Sequence, residues 1–183
     1  LFAKGKPKTY TFTERTVRKN DSMKQKEYTA VIIAFIRSIG IEIAPGMVPT
    51  NSFLPGVEIV NGQLVYDENI LEYPGDLLHE AGHIALVPEV HRQKLSGNVA
   101  EHEFTDNGEE IGVMLWTYAA CRSVGLPPEI VFHSKGYKGQ SSWLLEMYGS
   151  GNYIGLPLLQ WMGMCSRGDE VTPFPHMIRW LRG

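Results

Sequence analysis

The sequence feature that most restricts this chain is His79-Glu80-Ala81-Gly82-His83, embedded in an apolar run over residues 77–87. Pro74-Gly75-Asp76 precedes the run and Pro88 follows it. That punctuation predicts a buried helix, with Asp76 as N-cap and a stop ahead of Pro88. On a helix, positions i and i+4 share one face, a turn apart. Two imidazoles at that spacing can hold one ion at about 2.0–2.1 Å, as tetrahedral zinc requires. Glu80, beside the first histidine, can aim its carboxylate at the open coordination position. There it can take a proton from a water polarised by the metal and hand it to a leaving amine. Ala81 and Gly82 keep the helix slim enough for another element to approach closely.

The surroundings follow from periodicity and turn chemistry. Residues 1–22 are polar and aperiodic and read as an arm with one edge strand at residues 9–13. Over residues 23–39, Tyr28, Val31, Ile32, Phe35 and Ile36 recur at helical steps, and Gly40 supplies a stop. A short strand is expected at 41–43, then a Pro/Gly-rich loop through residue 55. Two β-prone runs, 57–60 and 63–66, flank Asn61-Gly62, the signature of a type I′ hairpin. A polar loop over 88–107 leads to an apolar helix over 109–124, ended by Gly125-Leu126-Pro127-Pro128, with short helices at 142–148 and 157–164 beyond it. No repeat or linker interrupts the chain, so a single domain over 1–183 is expected. The order of elements predicts an α+β fold with a small, mostly antiparallel sheet beside the motif helix. Strand 63–66 is expected at the sheet edge, where an extended substrate could pair.

Composition excludes several classes. Of 183 residues, 43% are hydrophobic and 20% charged, as in a soluble globular chain. The net charge of −3 gives no basic field for nucleic acid or anionic lipid. No apolar run approaches the roughly 20 residues of a bilayer span. The first residues lack the apolar core of a secretory signal, although one could have been removed, since the chain opens on Leu1. Cys121 and Cys165 form neither a disulfide framework nor a Cys-x-x-Cys pair. Cys121, in an apolar stretch, reads as a buried small residue. A cytoplasmic setting is expected.

A catalytic zinc usually has three protein ligands and one open position. A histidine six residues after His83, with an intervening glycine, would mark a metzincin. That position is Glu89, and Ala85 and Leu86 are not glycine. His91 lies beyond Pro88 and is a weaker candidate. The better source is the second apolar helix, which opens Asn107-Gly108-Glu109-Glu110-Ile111-Gly112. One of its two carboxylates can complement the helix dipole while the other binds metal.

This layout, a helical His-Glu-x-x-His with a glutamate opening a second helix, resembles the gluzincin branch of zinc metallopeptidases. It is also similar to the small bacterial metallopeptidases related to the ImmA group. The resemblance covers residues 57–124. It implies zinc, a zincin-like fold, hydrolysis of peptide bonds and a glutamate as third ligand, commonly followed three positions later by a small residue. Glu109, followed by Gly112, fits that pattern better than Glu110, followed by Val113. The chain departs from the family where some members place an Asp behind a ligating histidine, since Val113 and Met114 stand there. Support for the ligands would then come from elsewhere, with Glu101 and Glu103 as candidates.

An oxyanion donor is also needed. His133, Tyr137 and Tyr153 lie in turn-prone stretches, and residues 132–137 are the first place to look. His102 is expected in solvent, His176 has no visible partner, and the four tryptophans are expected in the core. The expected function is a zinc-dependent peptidase acting on peptide or protein substrates. Alternatives are a zinc amidohydrolase on a non-peptide amide, or a non-catalytic zincin-like domain that binds a partner. The second would want four protein ligands, and Glu80 argues against it. A carboxylate-bridged di-iron protein would need a second Glu-x-x-His, which the helices lack.

Overall fold

The computed structural model describes residues 12–99, 102, 108–167 and 173–183, with residues 12–22 as backbone only. The elements in chain order are α1 (Phe12–Ser38), β1 (Ile43–Pro45), β2 (Val57–Val60), β3 (Gln63–Tyr66), α2 (Gly75–Leu86), α3 (Glu89–Arg92), α4 (Glu109–Ser123), α5 (Ser141–Gly149) and α6 (Leu156–Trp161). Single 3₁₀ turns at Pro128–Ile130 and Tyr137–Gly139 link α4 to α5.

Helix α1 begins at Phe12, so the stretch read as an aperiodic arm over residues 1–22 has helical backbone from residue 12 on. Residues 9–11 of the expected strand lie outside the described residues, while Phe12 and Thr13 are helical. Glu14, Arg15, Arg18 and Lys19 are good helix formers, and extending an already nucleated helix costs little. The anchored part buries Ile32, Ile33 and Ile36, with Tyr28 and Phe35 packed beside them. Val31, counted on the apolar face by periodicity, is 40% exposed.

The sheet has the order β1-β3-β2. β2 pairs antiparallel with β3 around Ile59 and Leu64, while β1 pairs parallel with β3 through Ile43 and Leu64. The sheet is therefore mixed, not mostly antiparallel. β3 lies at its centre with both sides occupied, so it offers no edge to a substrate. β1 starts two residues later than expected because Ile41 closes the corner after α1, its N–H donating to the Ile36 carbonyl. The hairpin turn is as expected, with φ of 52° at Asn61 and 75° at Gly62.

Helix α2 ends at Leu86, and Val87 is extended ahead of Pro88. Asp76 is not its cap. Pro74 takes that position, and Asp76 sits in the first turn with its carboxylate directed elsewhere. The helix is buried on nearly every side, as expected for one enclosed by other elements. α4 lies directly against it. A Cβ on Gly82 would stand 3.0 Å from Val113 and 3.2 Å from both Thr117 and Trp116; one on Gly112 would stand 2.8 Å from Leu86. These two glycines set how closely the helices approach.

The core joins α1, the sheet, α2 and α4. Trp116 lies in it and Trp180 packs against it, but Trp143 and Trp161 are 47% and 64% exposed, contrary to the expected core placement. Cys121 and Cys165 are buried free thiols. α6 stops at Trp161, where Gly163 turns the chain with φ of 68°. The expected loop over 88–107 carries α3 in its described part. Among the described residues no helix is long and apolar enough to cross a membrane.

The α2–α4 contact predicts that Gly82→Val, which drives two methyl groups into α4, destabilises the protein by about 1–3 kcal/mol. Urea unfolding measures this, and an unchanged midpoint would disprove the close approach.

Candidate metal centre

Helix spacing puts His79 and His83 one turn apart, and the α2–α4 packing brings the first turn of α4 to them. Their Nε2 atoms lie 3.2 Å from each other. His79 Nε2 is 3.6 Å from Glu110 Oε1, and His83 Nε2 is 3.5 Å from Glu110 Oε2. Among the described residues no fourth His, Cys, Asp or Glu joins this group. The histidine side chains are 13% and 15% exposed, whereas that of Glu110 is 46% exposed, so the group opens toward solvent on the α4 side.

The donor set could hold a metal ion. Metal–ligand bonds of about 2.0–2.1 Å at tetrahedral angles place neighbouring donors about 3.3–3.4 Å apart. The two imidazole nitrogens, 3.2 Å apart, lie close to that value, and one donor atom from each of the three residues can be chosen with all three within 4.8 Å of one another. Burial pushes the imidazoles down, to about 3 for His79 and about 4 for His83, with the neighbouring histidines adding to the effect at His79. Both rings are thus neutral at ordinary pH, the form that ligates metal.

The expected order of the two glutamates is reversed. Glu110 faces the histidines, and Glu109 Oε1 lies 3.3 Å from Arg182 Nη1. Successive residues on a helix point about 100° apart, so these two carboxylates cannot share one target. Gly112, the small residue three positions after Glu109, lies against Leu86 and Leu158. His91 sits on α3, outside the donor group.

Glu80 is buried on the same helix. Burial, with Asp76 and Glu110 adding to it, raises its carboxyl to about 8. A divalent cation among these groups would oppose that rise.

The support behind His79 comes from Tyr137, a role the sequence did not reveal. The Tyr137 hydroxyl lies 3.3 Å from His79 Nδ1, and the two rings meet edge to face at 5.6 Å. Were Nε2 to hold a metal, Nδ1 would carry the proton and donate it to the phenolic oxygen. Tyr137 and Lys138 both have positive φ, 54° and 52°. For non-glycine residues that conformation is strained, and the strain falls where the chain bends to deliver Tyr137. Glu101 and Glu103, expected in this supporting role, lie outside the described residues. Tyr148 is fully buried nearby, its hydroxyl without a partner among the described residues. Burial raises its pKa, with Glu110 adding to the effect.

His133 is held otherwise than expected of a simple oxyanion donor. Its Nε2 lies 3.1 Å from Asp76 Oδ1, and its ring stacks on Tyr73 at 3.7 Å. Ser141 Oγ donates to its carbonyl at 2.6 Å. Burial raises the Asp76 carboxyl and His133 draws it back down. Tyr153 packs on Phe174 and Tyr118. His102, expected in solvent, is half-buried with Nε2 2.7 Å from the Ser96 carbonyl oxygen, and His176 is exposed.

No protein-family model matches this sequence, and searches of curated proteins and of solved structures also find no match.

The Asp76–His133 pair predicts that Asp76→Ala, which leaves a buried imidazole without its acceptor, lowers stability by about 1–3 kcal/mol. Denaturant titration reads this directly, and a loss under a few tenths would mean the pair is not formed.

Proposed function

We propose that this protein is a zinc-dependent hydrolase of peptide bonds with a zincin-like fold. The observation that carries this reading is the cluster of donors: His79 Nε2 and His83 Nε2 lie 3.2 Å apart, close to the edge of a zinc tetrahedron, and the Glu110 carboxylate faces both, with Oε1 3.6 Å from the first and Oε2 3.5 Å from the second. Among the described residues three protein donors, one of them exposed, would leave a position for an exchangeable ligand, as catalytic rather than structural zinc requires. A zinc ion held there would supply Lewis acidity, lowering the pKa of water toward about 7 and polarising a carbonyl.

The chain's own residues do the rest. Glu80 accepts the proton of the attacking water and returns it to the leaving nitrogen as the carbon–nitrogen bond breaks. Tyr137 holds His79 with Nε2 turned toward the other donors. Its own O–H hydrogen is a candidate donor to the oxyanion. His133, oriented by Asp76, is the second candidate.

Metal analysis after mild dialysis should find about one zinc per chain, consistent with one three-donor site. His79→Ala and Glu110→Gln should lose it. Glu80→Gln should keep full zinc while cleavage of a mixed peptide library, read by mass spectrometry, falls at least about a hundredfold. Full zinc in both ligand variants would rule out the site. A wild-type chain that cleaves nothing and holds zinc through four protein ligands would favour the partner-binding alternative. Equal cleavage by Glu80→Gln would remove Glu80 from the mechanism and leave the metal site standing.

A further inference from the structure

Arg182 stands where the two metal-bearing helices meet, and nothing in the donor triangle accounts for it. Its backbone N–H donates to the Ala85 carbonyl at 2.9 Å and its Nη1 to the Leu86 carbonyl at 3.2 Å. Those carbonyls belong to the last turn of α2, which has no helical partners left for them. Nη1 also pairs with Glu109, the first residue of α4, at 3.3 Å. The guanidinium lies 5.1 Å from the Trp161 ring centroid, and Arg92 Nη2 donates to the Arg182 carbonyl. The pair is largely enclosed, with side-chain exposures of 19% for Arg182 and 16% for Glu109. Two residues earlier, the Trp180 carbonyl accepts from Trp116 Nε1 at 3.0 Å, which ties the same segment to the middle of α4.

One guanidinium therefore joins the end of α2 to the start of α4, and Glu109 is its contact on α4. Because Glu109 and Glu110 point about 100° apart, fixing the first fixes the direction of the second. We propose that Arg182 is a positioning residue for the metal centre: by holding Glu109 and the last carbonyls of α2 together, it sets the α2–α4 register that presents Glu110 to His79 and His83. The proposal rests on the zinc reading above. It gives the second acid of the Glu109-Glu110 pair its own task and explains why adjacent carboxylates have unlike surroundings.

Charge and position predict opposite signs, and this makes the proposal testable. Removing a cation near a divalent-ion site should tighten binding if Arg182 acts only through its charge. Loss of positioning should weaken it. Zinc affinity is measured by competition with a chelating dye for wild type, Arg182→Met, Glu109→Gln and the double variant, with circular dichroism of each metal-free chain recorded alongside. The expected result is a folded Arg182→Met chain that binds zinc at least about tenfold more weakly, the lower end for losing support behind a metal site. The double variant should be no weaker than the worse single variant, since both remove one contact. Cobalt-loaded Arg182→Met should show a displaced visible absorption band, because the carboxylate ligand is displaced; a residue that only stabilises the fold would leave that band in place. If Arg182→Met does not fold, Arg182→Lys takes its place: it keeps the charge but not the planar fork, and weaker zinc binding is again expected. Unchanged or tighter zinc binding in a wild-type-like fold overturns the proposal and leaves the zinc reading intact. A wild-type chain that takes up no zinc overturns both.

Discussion

Everything at the candidate centre depends on how closely α2 and α4 approach. A histidine pair at i and i+4 supplies two donors from one helix, but a third must come from another element, and its reach is limited by side-chain length. Here Gly82 and Gly112 remove the side chains that would hold the helices apart, and Val113, Trp116, Thr117 and Leu86 fill the space left. The Glu110 carboxylate then comes within 3.6 Å of both imidazoles. Interiors are packed like crystals, so a contact of this kind has one arrangement and not a range of them. The donor triangle inherits its precision from that packing.

The same burial shapes the chemistry. Desolvation disfavours charge on His79 and His83, which keeps both rings in the ligating form. It also disfavours charge on Glu80. A cation beside these groups would oppose the rise in the Glu80 pKa. Tyr137 belongs to the same logic. A left-handed backbone at two successive non-glycine residues is costly. It is compatible with a stable fold only where the neighbours over-determine it, and here they do, through the His79 contact and the Phe132 ring 5.0 Å away.

Local signals in the sequence were sufficient for the parts governed by local rules. The hairpin at Asn61-Gly62, the stop of α2 before Pro88 and the span of α4 all depend on residues within a few positions of one another, and each lies where the chemistry of those residues puts it. So does the histidine pair. The misreadings involve partners distant in sequence. By its sequence β3 reads as an edge strand, because nothing near it reveals that β1 joins its far side. Asp76 has the chemistry of an N-cap, yet its carboxylate is drawn to His133, 57 residues away. The helical backbone of residues 12–22 carries no apolar stripe to announce it.

The choice between Glu109 and Glu110 shows most clearly why pattern alone falls short. Both open one helix, both complement its dipole, and the small residue at position 112 favours the first. Glu109 is paired with Arg182, 73 residues further on. An arginine can satisfy helix carbonyls and a carboxylate at once because its donors are spread over a planar fork, so it pairs with the acid that faces the end of α2. The acid one position later, turned by a helical step, is left for the histidines. Which carboxylate faces the histidines thus follows from which one the rest of the fold has already paired, and that is a property of the packed chain rather than of the motif.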